Sequence, residues 1–453
     1  MENQLRFPRS MVNGICRACD WCNQRHSLFI ILFGLGYKVF LDLNYAVALV
    51  PYVPNAGFTL EPSFIRYAFS WILYLVLFFY FPKKENDFVS FFLNIQLIIM
   101  VAPMLTYYGL SGRGSTVYIL LVFLCMLLEG FLLKRKKKKT AVMVSFDGIQ
   151  PHLLIIFGAV VLFFCVVWLL YNGFYGLDAL NFTNVYDIRS ATEYPPFFVY
   201  LKNWVPRAIV PFFIAYFLMN KQYWLAFFSC GVQFFIFLLT AEKFTLFILI
   251  AIIGVFFIAK QKVLLKGMYA AFCVLTLGSL LMLLIAPDSI PVNVESYAVR
   301  RFLFLPAQLK FQYFDIFSVY PPVMFADGTL GSLFSLSSVY SISVPNIIES
   351  CLQGISDTSN CNTGYLGDSY AQLGAVGMFV ISILLAAVIR FVDRIAEKGQ
   401  TPMLVALFVV PLIALNDGAF FTAFLTGGMW LIVLLIVLFN QPARKLGKAG
   451  CVY

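Results

Sequence analysis

Residues 64–82 read FIRYAFSWILYLVLFFYFP, and comparable apolar runs occupy 88–108, 116–133 and 420–439. Each is close to the ~20 apolar residues a helix needs to cross a bilayer. Lipid offers no water to satisfy a backbone N–H or C=O, so runs of this kind must form helices that bond internally. Composition agrees: 61% of the 453 residues are hydrophobic and 12% are charged, against about 25% charge in a soluble domain. The sequence predicts an all-α polytopic membrane protein, with residues 1–453 as one integral membrane domain. Met1 to His26 is polar and basic and lacks a small-residue cleavage site behind a short apolar core. No cleavable signal is expected, so the first helix should remain as an anchor.

Twelve helices are expected, near 27–52, 64–82, 88–110, 116–133, 150–172, 197–219, 223–240, 244–259, 267–286, 369–390, 402–418 and 420–439. An even number puts both termini on one side, and the distribution of Lys and Arg selects the side. One alternating set of segments holds Arg6, Arg9, Arg17, Arg25, Lys83, Lys84, the run KRKKKK (134–139), Lys221, Lys260, Lys262, Lys266, Arg390, Arg394, Lys398, Arg444, Lys445 and Lys448. These are 22 of the 32 basic residues, which makes those loops and both termini cytoplasmic. The net charge of +10 then reflects topology and contact with anionic lipid, not nucleic acid. Ten basic residues remain, in helices or outside: Lys38, Arg66, Arg113, Arg189, Lys202, Arg207, Lys243, Arg300, Arg301 and Lys310. Orientation does not require them there.

Two external connections are longer than the rest. Residues 173–196 form a medium loop and 287–368 a large one. The large loop contains LFLPAQLKFQYFDIF and SLFSLSSVYSI, too apolar for a linker, and is expected to fold back as short helices on the membrane surface. Cys125, Cys165, Cys230 and Cys273 fall within helices as small packing residues. Cys351 and Cys361, in the external CLQGISDTSNC, are expected to form a disulfide if that side is oxidising. The N-terminal CRACDWCNQRH sets three thiols near His26 on the cytoplasmic side, a pattern too loose to imply a metal.

Candidate chemistry lies in the external segments. NVYDIRSATEYPP supplies Asp187, Arg189 and Glu193, and TAEKFT places Glu242 and Lys243 at a helix boundary. In YAVRRFLFLPAQLKFQYFDIF (297–317), Arg300 and Arg301 stand side by side among seven aromatics. At 100° per residue Arg301, Gln308, Gln312 and Asp315 share one direction, with Phe304, Phe311 and Phe314 off that stripe. An aromatic face on lipid and a polar edge toward a site would follow, or an amphipathic helix that simply binds headgroups. Pro306 interrupts a helix, so the arginines are placed either in the helix or in the turn before it. NTGYLGDSYAQLGAVG (362–377) offers Asp368 or Ser369 as a cap, and Gly374 and Gly377 for close packing. The helix end there could attract an anion such as phosphate, or be a plain capped helix.

Cations and carboxylates gathered outside the membrane suit a diphosphate-linked lipid donor. Arginines would neutralise the leaving diphosphate, and a carboxylate would take a proton from an acceptor hydroxyl. No paired aspartates of the DxD kind occur in an external loop, so no metal and no cofactor is inferred. RRFLFLPAQLKFQYFDIF, NTGYLGDSYAQLGAVG and the TAEKF boundary, in a chain with two large external loops, resemble the O-antigen polymerases of the Wzy type, the oligosaccharide repeat-unit polymerases. The resemblance is clearest over 180–380. It implies a fold related to the GT-C glycosyltransferases and a metal-free site on the periplasmic face of the bacterial inner membrane. It also implies transfer of a growing glycan from undecaprenyl diphosphate to a lipid-linked repeat unit, in lipopolysaccharide biosynthesis. Undecaprenyl-diphosphate-linked oligosaccharides, membrane lipids and a polysaccharide chain-length regulator are the implied partners. Functional arginines in such loops would here be Arg189, Arg300 and Arg301. An arginine followed at fixed spacing by glycine, as in some members, does not stand out in this chain.

The expected assignment puts Arg300 and Arg301, aided by Arg189 and Lys243, on the donor diphosphate. Glu193 or Asp315, with Asp368 third, is the expected base, and Tyr313, Tyr365 and Tyr370 are expected to contact sugar or phosphate. Two other readings stay open. An O-antigen ligase shares architecture and donor, but a prominent external histidine would be expected, and the chain has only His26 and His152, near the cytoplasmic face. A non-enzymatic flippase for lipid-linked oligosaccharide would keep its loops short.

Overall fold

The computed structural model describes residues 28–53, 57–134, 150–174, 176, 192–195, 197–287, 289–353, 361–395 and 399–439. These residues form helices and connecting loops, with no strand among them. Helices α1 (Leu28–Tyr52), α2 (Phe64–Tyr80), α3 (Phe88–Leu110), α4 (Thr116–Lys134) and α5 (Gln150–Asn172) come first. Next are α6 (198–219), α7 (Tyr223–Thr240), α8 (Lys243–Lys260) and α9 (Leu264–Ile285). The connection to the following apolar helix contains α10 (289–317), α11 (Thr329–Phe334) and α12 (Val344–Gln353). Finally α13 (Tyr365–Ile395), α14 (Thr401–Asp417) and α15 (Met429–Phe439) complete the described chain. Among the described residues, eight helices are long and apolar enough to cross a membrane. The apolar helices α2, α14 and α15 are shorter.

Helix α3 forms the centre: its apolar window is entirely buried, whereas that of α5 is 11% buried and turned outward. Around α3, α4 lies along α13, α8 along α14, and α7 against α6. Four wide π-helical turns, 44–49, 97–101, 205–209 and 295–304, contain a proline or end two residues before one: Pro51, Pro103, Pro206 and Pro306. A proline ring collides with the carbonyl four residues back and offers that carbonyl no N–H. Widening the turn absorbs the misfit and keeps the helix continuous.

This settles the geometry around Pro306. Helix α10 runs unbroken from 289 to 317, so Arg300 and Arg301 lie inside the helix, in its π-helical half, not in a turn before it. The aromatic face does not rest on lipid. Phe304 packs 5.2 Å from Tyr45, Phe311 5.5 Å from Tyr107, and Phe314 5.0 Å from Tyr118. The expectation of a surface-lying amphipathic helix fails for α10, because α1, α3 and α4 supply an aromatic socket for that face. Gln308, expected on the polar edge, is buried and donates to the Gly57 carbonyl at 3.2 Å.

One other expectation changes. Helix α13 starts at Tyr365, not at Asp368 or Ser369. Cys361 is a free, half-buried thiol, and the side chain of Cys351, its expected bridge partner, lies outside the described residues. The N-terminal cysteines, the KRKKKK run from 135 onward, Asp187 and Arg189 lie outside the described residues.

Candidate functional site

A break in α13 creates the site. Leu373 (φ −143°) and Gly374 (φ 61°, ψ −150°) leave helical geometry, which frees the preceding carbonyls. Those carbonyls hold the loop after α10: Val323 N–H donates to Ala371 O and Met324 N–H to Gln372 O, both at 3.0 Å. The Gln372 side chain extends the clasp, its Oε1 accepting the Phe325 N–H at 2.8 Å and its Nε2 donating to Asp368 at 3.2 Å. Met324 and Phe325 are held at φ 56° and 59°. Left-handed backbone is costly for such side chains and persists only where surrounding bonds over-determine it.

The clasp closes one wall of a cavity of about 330 Å³. Asp327, Asp368 and Asp417 line it, with Phe325 and Phe421 as apolar walls in edge-to-face contact at 5.7 Å. Asp327 is fixed by the Val344 N–H, 2.6 Å away, at the start of α12. Tyr313 also lines the cavity. Burial, and then the Asp368 charge, push its phenol well above the usual range, so it stays a neutral hydroxyl and donates to Cys361 O at 2.9 Å.

Cations stand beside this acidic cavity. Lys310 is fully buried and donates to Pro306 O at 3.1 Å, Asn416 O at 2.8 Å and Asn416 Oδ1 at 3.0 Å. Burial brings its ammonium down to about 7, opposed by the attraction of Asp417. Arg301 acts on the same aspartate and is exposed. Arg300 is half-buried, donates to Ser296 Oγ at 3.2 Å, and is lowered by burial and by its neighbour Arg301. One turn earlier Tyr297 lies 6.0 Å beneath Lys243. Beside Lys243, Glu242 pairs with Lys202 at 3.1 Å and with Arg207 at 3.9 Å. Lys202 in turn sits over Tyr194 and Trp168, at 5.2 and 5.6 Å.

The structure therefore brings Asp368 and Tyr313 together around one cavity, with Arg301 acting on its Asp417, whereas Arg300 and Lys243 contact Ser296 and Tyr297, which do not line it. It separates the others. Glu193 is exposed, its backbone held by the Asn172 side chain through two 3.0 Å bonds. Asp315 is exposed on the part of α10 that faces Tyr107 and Tyr118. Tyr370 packs on Phe314 at 4.7 Å. Tyr365 is sealed in the core, its hydroxyl within hydrogen-bonding distance of Gln96 Oε1 at 2.9 Å and Glu129 Oε1 at 2.8 Å.

Asp327, Gln372, Asn416 and Asp417 were missing from the site expected from sequence. Asn416 and Asp417 form a polar pair at the outer end of the otherwise apolar TPMLVALFVVPLIALND, a signal that was present. Some of the ten surplus cations serve the fold instead. Arg66 binds the carbonyls of Gly112, Arg113 and Gly114, at 2.7, 2.5 and 2.5 Å. Lys38 pairs with Asp42, which also accepts from Thr106, Tyr67 and Trp71. No group of histidines, cysteines and carboxylates suited to a metal occurs among the described residues. No family model, curated protein or solved structure matches the chain.

Proposed function

We propose that this chain is an oligosaccharide repeat-unit polymerase of the O-antigen type, crossing the bacterial inner membrane twelve times with both termini cytoplasmic and the site periplasmic. The observation that carries the reading is that Arg301, next to Arg300 in one helix, acts on Asp417 in the wall of a cavity lined by carboxylates and aromatic rings. The donor is a glycan on undecaprenyl diphosphate, and Arg300 and Arg301 neutralise its diphosphate, with Lys243 and Arg189 adding charge. The hydroxyl at the non-reducing end of a lipid-linked repeat unit attacks the anomeric carbon of the donor. A new C–O bond forms there as the bond to the diphosphate breaks, and the diphosphate departs with the electron pair. The hydroxyl proton passes to a carboxylate. Asp368 suits that role best, since it lines the cavity whereas Glu193 and Asp315 are directed elsewhere.

Charge stabilisation of this kind is worth several kcal/mol of barrier only if it grows as the leaving group departs. Deleting the gene and examining surface glycan tests the reading. Caps of a single repeat unit support a polymerase. Long chains left on undecaprenyl diphosphate point to a ligase, and unaltered glycan removes the proposal.

A further inference from the structure

The cavity beneath the clasp has a selectivity that its wall chemistry defines. We infer that it binds one uncharged, hydroxyl-rich ring, a neutral sugar residue, and excludes acidic sugars; on the polymerase reading this ring is the end of the acceptor. Size comes first: about 330 Å³ is at the small end of ligand pockets, ~300–1,000 Å³, which suits a ring and not a whole repeat unit with its lipid. The polar walls come next. Ionised carboxylates only accept hydrogen bonds, so Asp327, Asp368 and Asp417 require a ligand that donates. Hydroxyl groups do so, whereas a sugar carboxylate would meet like charge in a partly desolvated space.

An independent observation points to a ligand. Thr363 lines the cavity, is 3% exposed, and its hydroxyl has no hydrogen-bond partner in the protein. Buried polar groups are rarely left so, and an exception calls for an explanation. A sugar hydroxyl could donate to it or accept from it. The rings of Phe325 and Phe421 supply apolar surface for the C–H faces of a pyranose, and the strained backbone at Met324 and Phe325 fixes one of them in place. A fully cationic ligand fits less well, because Lys310 and Arg301 already offset Asp417, and the Gln372 amide already donates to Asp368.

Saturation-transfer NMR on the full-length protein in nanodiscs tests this with monosaccharide probes. The neutral probes are galactose, mannose, rhamnose and N-acetylglucosamine, the acidic ones glucuronic and N-acetylneuraminic acid, and the cationic one glucosamine. At least one neutral sugar is expected to bind, with both acids at least tenfold weaker. Thr363→Val should weaken the neutral sugar, and Asp368→Asn should narrow the discrimination against acids to under threefold, in protein whose melting is retained. The inference is overturned if no neutral sugar binds the wild type, if an acid binds within threefold of the best neutral sugar, or if only glucosamine binds. Each of these outcomes is read on wild-type protein, so neither variant has to fold for the inference to fail. Neutral-sugar binding in a protein whose deletion leaves polymer length unchanged would uphold the cavity and discard the polymerase reading.

Discussion

Replacing Lys310 by Met removes a buried ammonium while keeping most of the side-chain volume. The amine donates to Asn416 O and Oδ1 at 2.8 and 3.0 Å. Lys310→Met therefore orphans two buried acceptors, at about 1–3 kcal/mol each, and removes a counter-charge from Asp417. The desolvation cost of the amine is relieved at the same time, and this offsets part of the loss. A net destabilisation of about 3 kcal/mol is expected near pH 7. The pH dependence is more specific. Burial holds the Lys310 ammonium well below its usual range in the folded protein, against about 10.4 in an unfolded chain. Between the two, the unfolded state holds a proton that the folded state has shed, so stability rises with pH, by about 1.4 kcal/mol per unit. Wild type should gain stability from this group as pH rises from 7 to 9, and Lys310→Met should not. The variant's deficit widens as pH rises. Thermal melting of detergent-solubilised protein at the two pH values measures both effects. A variant within about 1 kcal/mol of wild type at pH 7, or a deficit that shrinks by pH 9, would show that Lys310 is not held as described.

Gly374 meets nothing within 4 Å of an added Cβ, but its φ of 61° and ψ of −150° are essentially reserved for glycine. Gly374→Ala is therefore expected to cost about 1–3 kcal/mol through backbone strain alone, read as lower melting and faster proteolysis between 318 and 328. Gly364 differs: its Cβ would collide with Asn416 O and lie 2.7 Å from Lys310 Cε. Gly364→Ala should push α13 from α14 and cost about 3 kcal/mol, at the upper end of overpacking; an unchanged melting temperature would contradict the contact. Tyr365→Phe should lose about 1–3 kcal/mol by removing the hydroxyl that faces the buried Gln96 and Glu129 side-chain oxygens, with normal polymer length from the folded fraction. A shortened polymer at wild-type stability would return Tyr365 to the substrate.

The apolar helices were legible because lipid permits only one solution for an apolar run; among the described residues helices lie on the twelve segments that hydropathy marks, but only eight are long and apolar enough to cross a membrane. The inside of the large connection was not legible to the same degree. A projection at 100° per residue assumes regular α geometry, and the π-helical turn from 295 to 304 departs from it within the segment carrying the arginines. Hydrophobicity also cannot distinguish an aromatic face turned to lipid from one turned to protein, so the socket formed by Tyr45, Tyr107 and Tyr118 was invisible. Asp368 was found because polar groups at helix ends stand out in an apolar chain. Asp327 and Asp417 arrive at the cavity only through the clasp between 323–325 and the break at Leu373–Gly374, a pairing of segments distant in sequence. Of the two glycines expected to allow close packing, Gly377 does so against Ser369 O whereas Gly374 meets nothing within 4 Å, and the close approaches at Gly364 and Gly367 were not foreseen, since close contact depends on which neighbour comes near.

The polymerase reading rests on Arg300 and Arg301 acting on the donor diphosphate beside the carboxylate cavity. Its sharpest test is polymer length in cells lacking the gene, complemented with Arg300→Ala, Arg301→Ala and the double variant at matched membrane levels. Long chains are expected with wild type, and a collapse to single repeat units with at least one single variant and with the double. Normal chain length in the double variant would contradict the reading.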